Sequence, residues 1–168
     1  AAGLFNYNSN GTALRVGVST GTGTGAWASP IIGTVAQIVQ ATLDTSSATT
    51  STTFISAGLS ASITPTNIGS KVFIWVSGAV KGNGATADIV YTLDRGGTNL
   101  GNGTAGFGRS TDANLVTPEV PCSIIYIDGP AATSATTYTL QIKASAAGTV
   151  TWNPSAARTT MILAEVMP

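Results

Sequence analysis

Apolar residues fall along this chain in short runs, and within most runs they alternate with Thr, Ser, Gln or Lys. A period of two places successive side chains on opposite faces of a β-strand. The clearest case is YTLQIK, where Tyr138, Leu140 and Ile142 are predicted to face a core and Thr139, Gln141 and Lys143 to face away. Strand-like runs read at 34–43, 52–55, 60–63, 71–80, 87–93, 123–127, 136–144, 149–152 and 159–166. The stretch VAQIVQA (35–41) has a spacing that a helix could also use, but its β-branched residues and flanking threonines favour a strand. VFIWV (72–76) is apolar at every position. That predicts a central strand, or one whose outer face meets another subunit.

Turn chemistry separates the runs. KGNGA (81–85) lies between VFIWV and ADIVYTL (87–93), and Asn-Gly suits the positive φ angles of a tight hairpin. Those two runs are therefore predicted to pair with each other, and the GNG at 101–103 to close the next hairpin. Pro65, Pro118, Pro121, Pro130 and Pro154 all fall between runs, as residues without an N–H to give a ladder should. The first thirty residues differ: LFNY (4–7) and TALRV (12–16) flank NSNG, a hairpin too short to hold its own core. A Gly/Thr-rich linker follows. The expected architecture is all-β, an antiparallel β-sandwich of about eight strands over 31–168, preceded over 1–30 by the short hairpin and linker as an attachment region.

Composition narrows the function classes. Of 168 residues only 8% are charged, seven of each sign, where about 25% is ordinary. So uncharged a surface predicts that copies of the chain, or a larger assembly, cover much of it. A balanced charge argues against nucleic acid, which calls for a basic face. No apolar run approaches the roughly 20 residues of a membrane-spanning helix, so no membrane span is expected. The chain opens on Ala1-Ala2-Gly3, with neither methionine nor a leader pattern, and is read as starting downstream of an original N-terminus.

The search for chemistry returns little. VSTGTGTGAWASP (18–30) alternates Gly21, Gly23 and Gly25 with threonine, as a phosphate-cradling loop can. Such a loop opens a helix and is followed by a lysine, whereas here Trp27 and Pro30 follow and the nearest lysine is Lys71. These glycines read as architecture, with Trp27 anchoring the linker to the hairpin. The chain has no histidine, which removes the usual nucleophilic triads and most transition-metal sites. Asp88 and Asp94 share a face of one predicted strand but stand about 20 Å apart at strand rise, too far for paired-carboxylate hydrolysis. Cys122, the single cysteine, reads as a small buried apolar residue. No catalytic residue, metal ligand or cofactor is therefore expected. The segment 96–118 is the longest of low regularity, and Asn102, Phe107 and Arg109 within it are the candidate ligand contacts: an amide, an aromatic face and a planar cation suited to a host-surface glycan.

LFNYNSNGTALRV (4–16) with GAW (25–27) resembles the short hairpin module of bacteriophage tail fibres. In order, IVQAT (38–42), STTFISAGLSASITP (51–65), SKVFIWV (70–76), YIDGPAATSATTYTLQ (126–141) and MILAEV (161–166) resemble a β-rich domain of tail-fibre and related virion proteins. The likeness implies a jelly-roll-like sandwich, a homotrimer, other virion proteins as partners and a place on the phage particle. It implies no catalytic residue. Two roles compete, a tail-fibre or receptor-binding protein and a capsid decoration protein that cements the head, with an enzyme acting on surface polysaccharide a distant third for want of carboxylate spacing. The short length ahead of the sandwich favours decoration, the hairpin module favours the fibre, and the fibre is the expectation.

Overall fold

The structure, a computed structural model, describes residues 34–82, 87–110 and 119–168, together with the backbone of two short strands near the start. Two units separate, Ala1–Ile32 and Gly33–Pro168. In the first, β1 (Leu4–Phe5) pairs antiparallel with β2 (Gly17–Val18). The hairpin thus uses 17–18 where the sequence placed its second strand at 12–16. The linker glycines and Trp27 lie outside the described residues.

The second unit is a sandwich of two antiparallel sheets, and among the described residues it has strands and no helix. One sheet holds β3 (Val35–Leu43), β4 (Ser47–Thr49), β6 (Lys71–Lys81), β10 (Val120–Asp128), β12 (Val150–Trp152) and β13 (Thr159–Val166). The other holds β5 (Ile55–Ile63), β7 (Ile89–Arg95), β8 (Thr98–Asn99), β9 (Gly108–Ser110) and β11 (Thr136–Ala144). Registers show that several of these are pieces of one strand. β13 pairs with β6 over Lys71 to Ser77 while β12 pairs with it at Val80 and Lys81, and β10 lines the other side of β6 from Val72 to Val80. β4 continues β3 against β12 in the same way, and β8 and β9 both flank β7 on the side away from β11. Numbering the resulting chain passes one to eight, the sheets read 1-8-3-6 and 2-7-4-5. Pairing is nested: first with last, second with seventh, third with sixth, fourth with fifth.

This order corrects the hairpin expected at KGNGA. β6 and β7 do not pair; they lie in opposite sheets, with β6 bonded to β13 and β10, and β7 to β11, β8 and β9. Asn83 and Gly84 fall outside the described residues. An Asn-Gly pair marks a chain reversal, but whether the returning strand joins its neighbour or crosses to the facing sheet depends on partners distant in sequence. The next hairpin joins β7 to β8, and it turns at Gly96 and Gly97, both at positive φ, not at the GNG of 101–103. Two further runs merge: 52–55 and 60–63 are the ends of a single region in which β5 spans Ile55–Ile63. Gly58 sits inside it at positive φ, beside a register irregularity against β11.

Inward residues form one core. Tyr138, Leu140 and Ile142 meet Ile74, Val76, Leu59, Leu93, Met161 and Leu163, all buried, as the alternation in YTLQIK predicts. Trp152 from one sheet stands edge-on to Tyr91 of the other, ring centres 5.7 Å apart, and its Nε1–H donates to Thr159 Oγ1 at 3.2 Å. That contact spans the loop 153–158, which interrupts the β12/β13 pass. Buried Asn153, at positive φ, holds the loop: its backbone N–H donates to Ala79 O, and its Nδ2 to Leu43 O and Thr45 O where β3 gives way to β4.

Gly78 of β6 lies against this cluster, where an added Cβ would come within 2.8 Å of Trp152 Cζ2 and 2.9 Å of Thr159 Oγ1. Gly78→Ala is therefore expected to destabilise the protein by about 1–3 kcal/mol through overpacking, read from the urea midpoint.

Candidate functional site: an apolar sheet face

The segment expected to carry recognition is described as far as residue 110. Asn102 is exposed at the head of a tight turn bridged to Gly106, and its Oδ1 accepts from the N–H of Thr104 (2.8 Å) and of Ala105 (2.9 Å). Phe107 is half-buried and packs edge-on against Tyr126 of the facing sheet, ring centres 5.0 Å apart. Arg109, on β9, forms an ion pair with Asp88, whose backbone N–H donates to Ser145 Oγ at 2.9 Å. All three candidate contacts thus have partners within the chain; Asn102 and Arg109 keep exposed surface.

Several other ionisable groups fasten the ends of the sandwich. Arg95 Nη1 lies 2.7 Å from both carboxylate oxygens of buried Asp128, and Tyr138 Oη donates to Asp128 Oδ2 at 2.6 Å. The cluster ties β7, β10 and β11 together across the two sheets. Burial, and then the bond to Asp128, push the Tyr138 hydroxyl far above the usual phenol range. Glu165 is fully buried on β13. Its Oε1 accepts from Ser70 Oγ (2.7 Å), Thr66 N (2.7 Å) and Thr66 Oγ1 (2.8 Å), and its Oε2 from Gln37 Nε2 (2.7 Å). Burial alone would raise its pKa, but bonds from Gln37, Ser70 and Thr66 outweigh that and hold it at about 2. Asp44 and Arg158 make a bidentate exposed pair at 3.0 and 2.9 Å. Cys122 is half-buried on β10, its thiol pushed up to about 12 by burial. Among the described residues no group of three or more His, Cys, Asp or Glu is placed to hold a metal ion, and no helix is long and apolar enough to cross a membrane.

A surface feature stands out instead. The registers across β10, β6, β13 and β3 align outward-facing residues in rows: Ile127, Phe73, Ala164 and Ile38 in one, and Ile125, Trp75, Ile162 and Gln40 in the next. Ile38, Ile125 and Ile127 are 67, 64 and 62% exposed, and Trp75 is 45% exposed. A shallow pocket of about 210 Å³ opens among Trp75, Ser77, Thr160 and Ile162. The second sheet turns out Ser60, Ser62, Thr137, Thr139 and Gln141, a face rich in hydroxyls and amides with Lys143 at one end. VFIWV therefore forms a central strand with both faces apolar. SIIYI (123–127) and MILA (161–164) carry the same two-sided pattern in sequence, and that signal could have located Ile125, Ile127 and Ile162 in advance.

Neither a family model nor a curated protein matches this chain.

Two measurements follow from these placements. Phe107→Ala is expected to lower stability by about 1–3 kcal/mol, since it removes half-buried aromatic packing between the sheets, and Arg109→Ala by about 1–3 kcal/mol, since it leaves the buried Asp88 carboxylate without its cation. Paired urea titrations compare the two. Glu165→Gln is expected to destabilise by about 1–3 kcal/mol at pH 7 by weakening the bonds to Thr66, Ser70 and Gln37. Glu165 has its pKa depressed from 4.5 to about 2 in the folded chain, so its stabilisation is fully present above 4.5 and is lost as pH falls toward 2. The wild type should lose stability across that window more steeply than Glu165→Gln.

Proposed function

We propose that the chain is a non-enzymatic structural protein of a bacteriophage particle, of the tail-fibre or receptor-binding type, working as a homotrimer beside other virion proteins. The nested strand order carries this reading. A long antiparallel hairpin folded over and rolled up pairs its passes first with last and fourth with fifth, which is the arrangement of a jelly roll built from two Greek keys. The resemblance of the sequence to tail-fibre domains implies that architecture, and the strand order supports the reading at the level of fold.

The use of the charged groups supports a structural role. Asp88, Asp128 and Glu165 are buried and bonded to Arg109, Arg95 and a set of hydroxyl, amide and backbone donors, so their chemistry goes into holding strands together. Within this proposal a host-surface glycan is contacted by the exposed members of the expected site, Asn102 and Arg109, while Phe107 serves packing. Contact at three copies of a weak site strengthens through avidity.

The alternative role, capsid decoration, shares this fold and symmetry and is separated by stoichiometry. Quantitative mass spectrometry of purified particles is expected to count tens of copies or fewer, and gold-labelled antibody to mark the tail. Hundreds of copies spread over the head would assign the chain to decoration, and particles without it would overturn the virion reading altogether.

A further inference from the structure

The apolar rows on one sheet have a size, a relief and a charge pattern that can be matched to an occupant. Four adjacent strands at about 4.8 Å spacing and nine residues at about 3.3 Å rise give a face of roughly 600 Å² in plan, and more once side-chain relief is counted. Specific protein interfaces cover about 600–1,000 Å² on each partner, so this one face reaches the lower end of the range for a stable contact. Outward positions along its middle carry no charge: Phe73, Trp75 and Ser77 on β6, Ile162 and Thr160 on β13, Ile125 and Ser123 on β10, Gln40 and Thr42 on β3. Lys71 and Lys81 stand only at the ends of β6. The desolvation that makes charged interface centres costly is therefore absent.

The relief is self-complementary. Ile38 and Ile125, on the two outer strands of the face, project into solvent, and the pocket between Trp75, Ser77, Thr160 and Ile162 lies on the two central strands. Its volume of about 210 Å³ admits a branched aliphatic side chain of the kind that flanks it. A surface that carries both the projection and the recess can dock on copies of itself without any other protein supplying the missing half.

We infer that the outward face of β10, β6, β13 and β3 is the surface through which copies of this chain bind one another, with an isoleucine of one copy seated in the Trp75–Ile162 pocket of the next. The inference rests on the reading that the chain acts as a homo-oligomeric subunit, and it names the surface that does so. Trp75 and Ile162 at the centre are the anchors, and the Ser, Thr and Gln positions around them form the rim. The hydroxyl-rich face of the other sheet is left outward, available to solvent in the assembled particle.

The test uses the full chain, with multi-angle light scattering over a dilution series. Wild type is expected near three times 16.8 kDa, and a Trp75→Ser, Ile125→Asn double variant near 16.8 kDa with an unchanged β-type circular dichroism spectrum. A control variant on the opposite sheet, Ser60→Asn with Thr139→Asn, should remain assembled. If the double variant loses its β spectrum, the single variant Ile125→Asp on edge strand β10 takes its place, with the concentration for half-dissociation raised at least about tenfold. Assembly of a folded face variant at wild-type concentrations overturns the assignment of this face and leaves the subunit reading standing. Wild type found monomeric throughout the series overturns both. A wild-type mass of two chains that the face variants abolish supports the face and replaces the three-fold count.

Discussion

Two antiparallel sheets share one core only when every strand turns the same alternate set of side chains into the layer between them, about 10 Å deep. In this protein that layer is filled by Leu59, Ile63, Ile74, Val76, Leu93, Tyr138, Leu140, Trp152, Met161 and Leu163, contributed by both sheets. The nested pairing follows from it. Apart from the β7–β8 hairpin, which stays in one sheet, each connection between passes crosses to the facing sheet, so those passes find their hydrogen-bonding partners far along the chain. A shift of one residue in β6 would bury Phe73 and Trp75 and expose Val72, Ile74 and Val76. Apolar residues on both faces make that shift less costly for β6 than for β11, and its bonded neighbours β10 and β13 hold it in place.

Polar groups finish what the apolar layer begins. Where strands end and connections start, backbone and side-chain donors must find acceptors away from water. Asn153 supplies them at the break between β12 and β13, Asp128 where β10 closes against β7 and β11, and Glu165 where the 64–70 connection meets β3 and β13. Glu165 accepts four bonds and faces no basic side chain among those partners. Its charge is stabilised by oriented dipoles, which accounts for a carboxyl held so far below its ordinary range despite burial. Few charges are present in the chain, and several of them are committed to these internal ties. Of the two outer sheet faces, one is left chiefly to hydroxyls and the other to hydrocarbon.

That difference between the two outer faces is what relates the fold to its proposed use. A sandwich working alone gains nothing from Ile38, Trp75, Ile125 and Ile127 in water, while a subunit of a particle has another surface to set against them. A low charge suits an assembly in which neighbours supply the cover.

Much of the strand content was legible along the chain. The runs at 136–144 and 159–166 coincide with β11 and β13, and the alternation in YTLQIK assigned Tyr138, Leu140 and Ile142 to the core correctly. Period two is a local property, and a side chain's parity along its own strand needs no knowledge of other strands. Pairing is a different matter. Asn-Gly at 83–84 and Gly-Asn-Gly at 101–103 read as hairpin turns in the sequence, yet β6 found β10 and β13, and β7 turned back at Gly96–Gly97. The short strands β4, β8 and β9 were also missed, because they exist only as continuations or edges of longer passes that already stand in a sheet. The roles of Asn102, Phe107 and Arg109 were similarly out of reach: an exposed-looking loop side chain is distinguished from a packed or paired one only by Tyr126 and Asp88, which distant strands bring alongside. Local alternation set which residues could be buried together; long-range hydrogen bonding and packing between strands far apart in sequence chose the partners, because each strand edge offers the same N–H and C=O row to any neighbour and only the shared core discriminates among them.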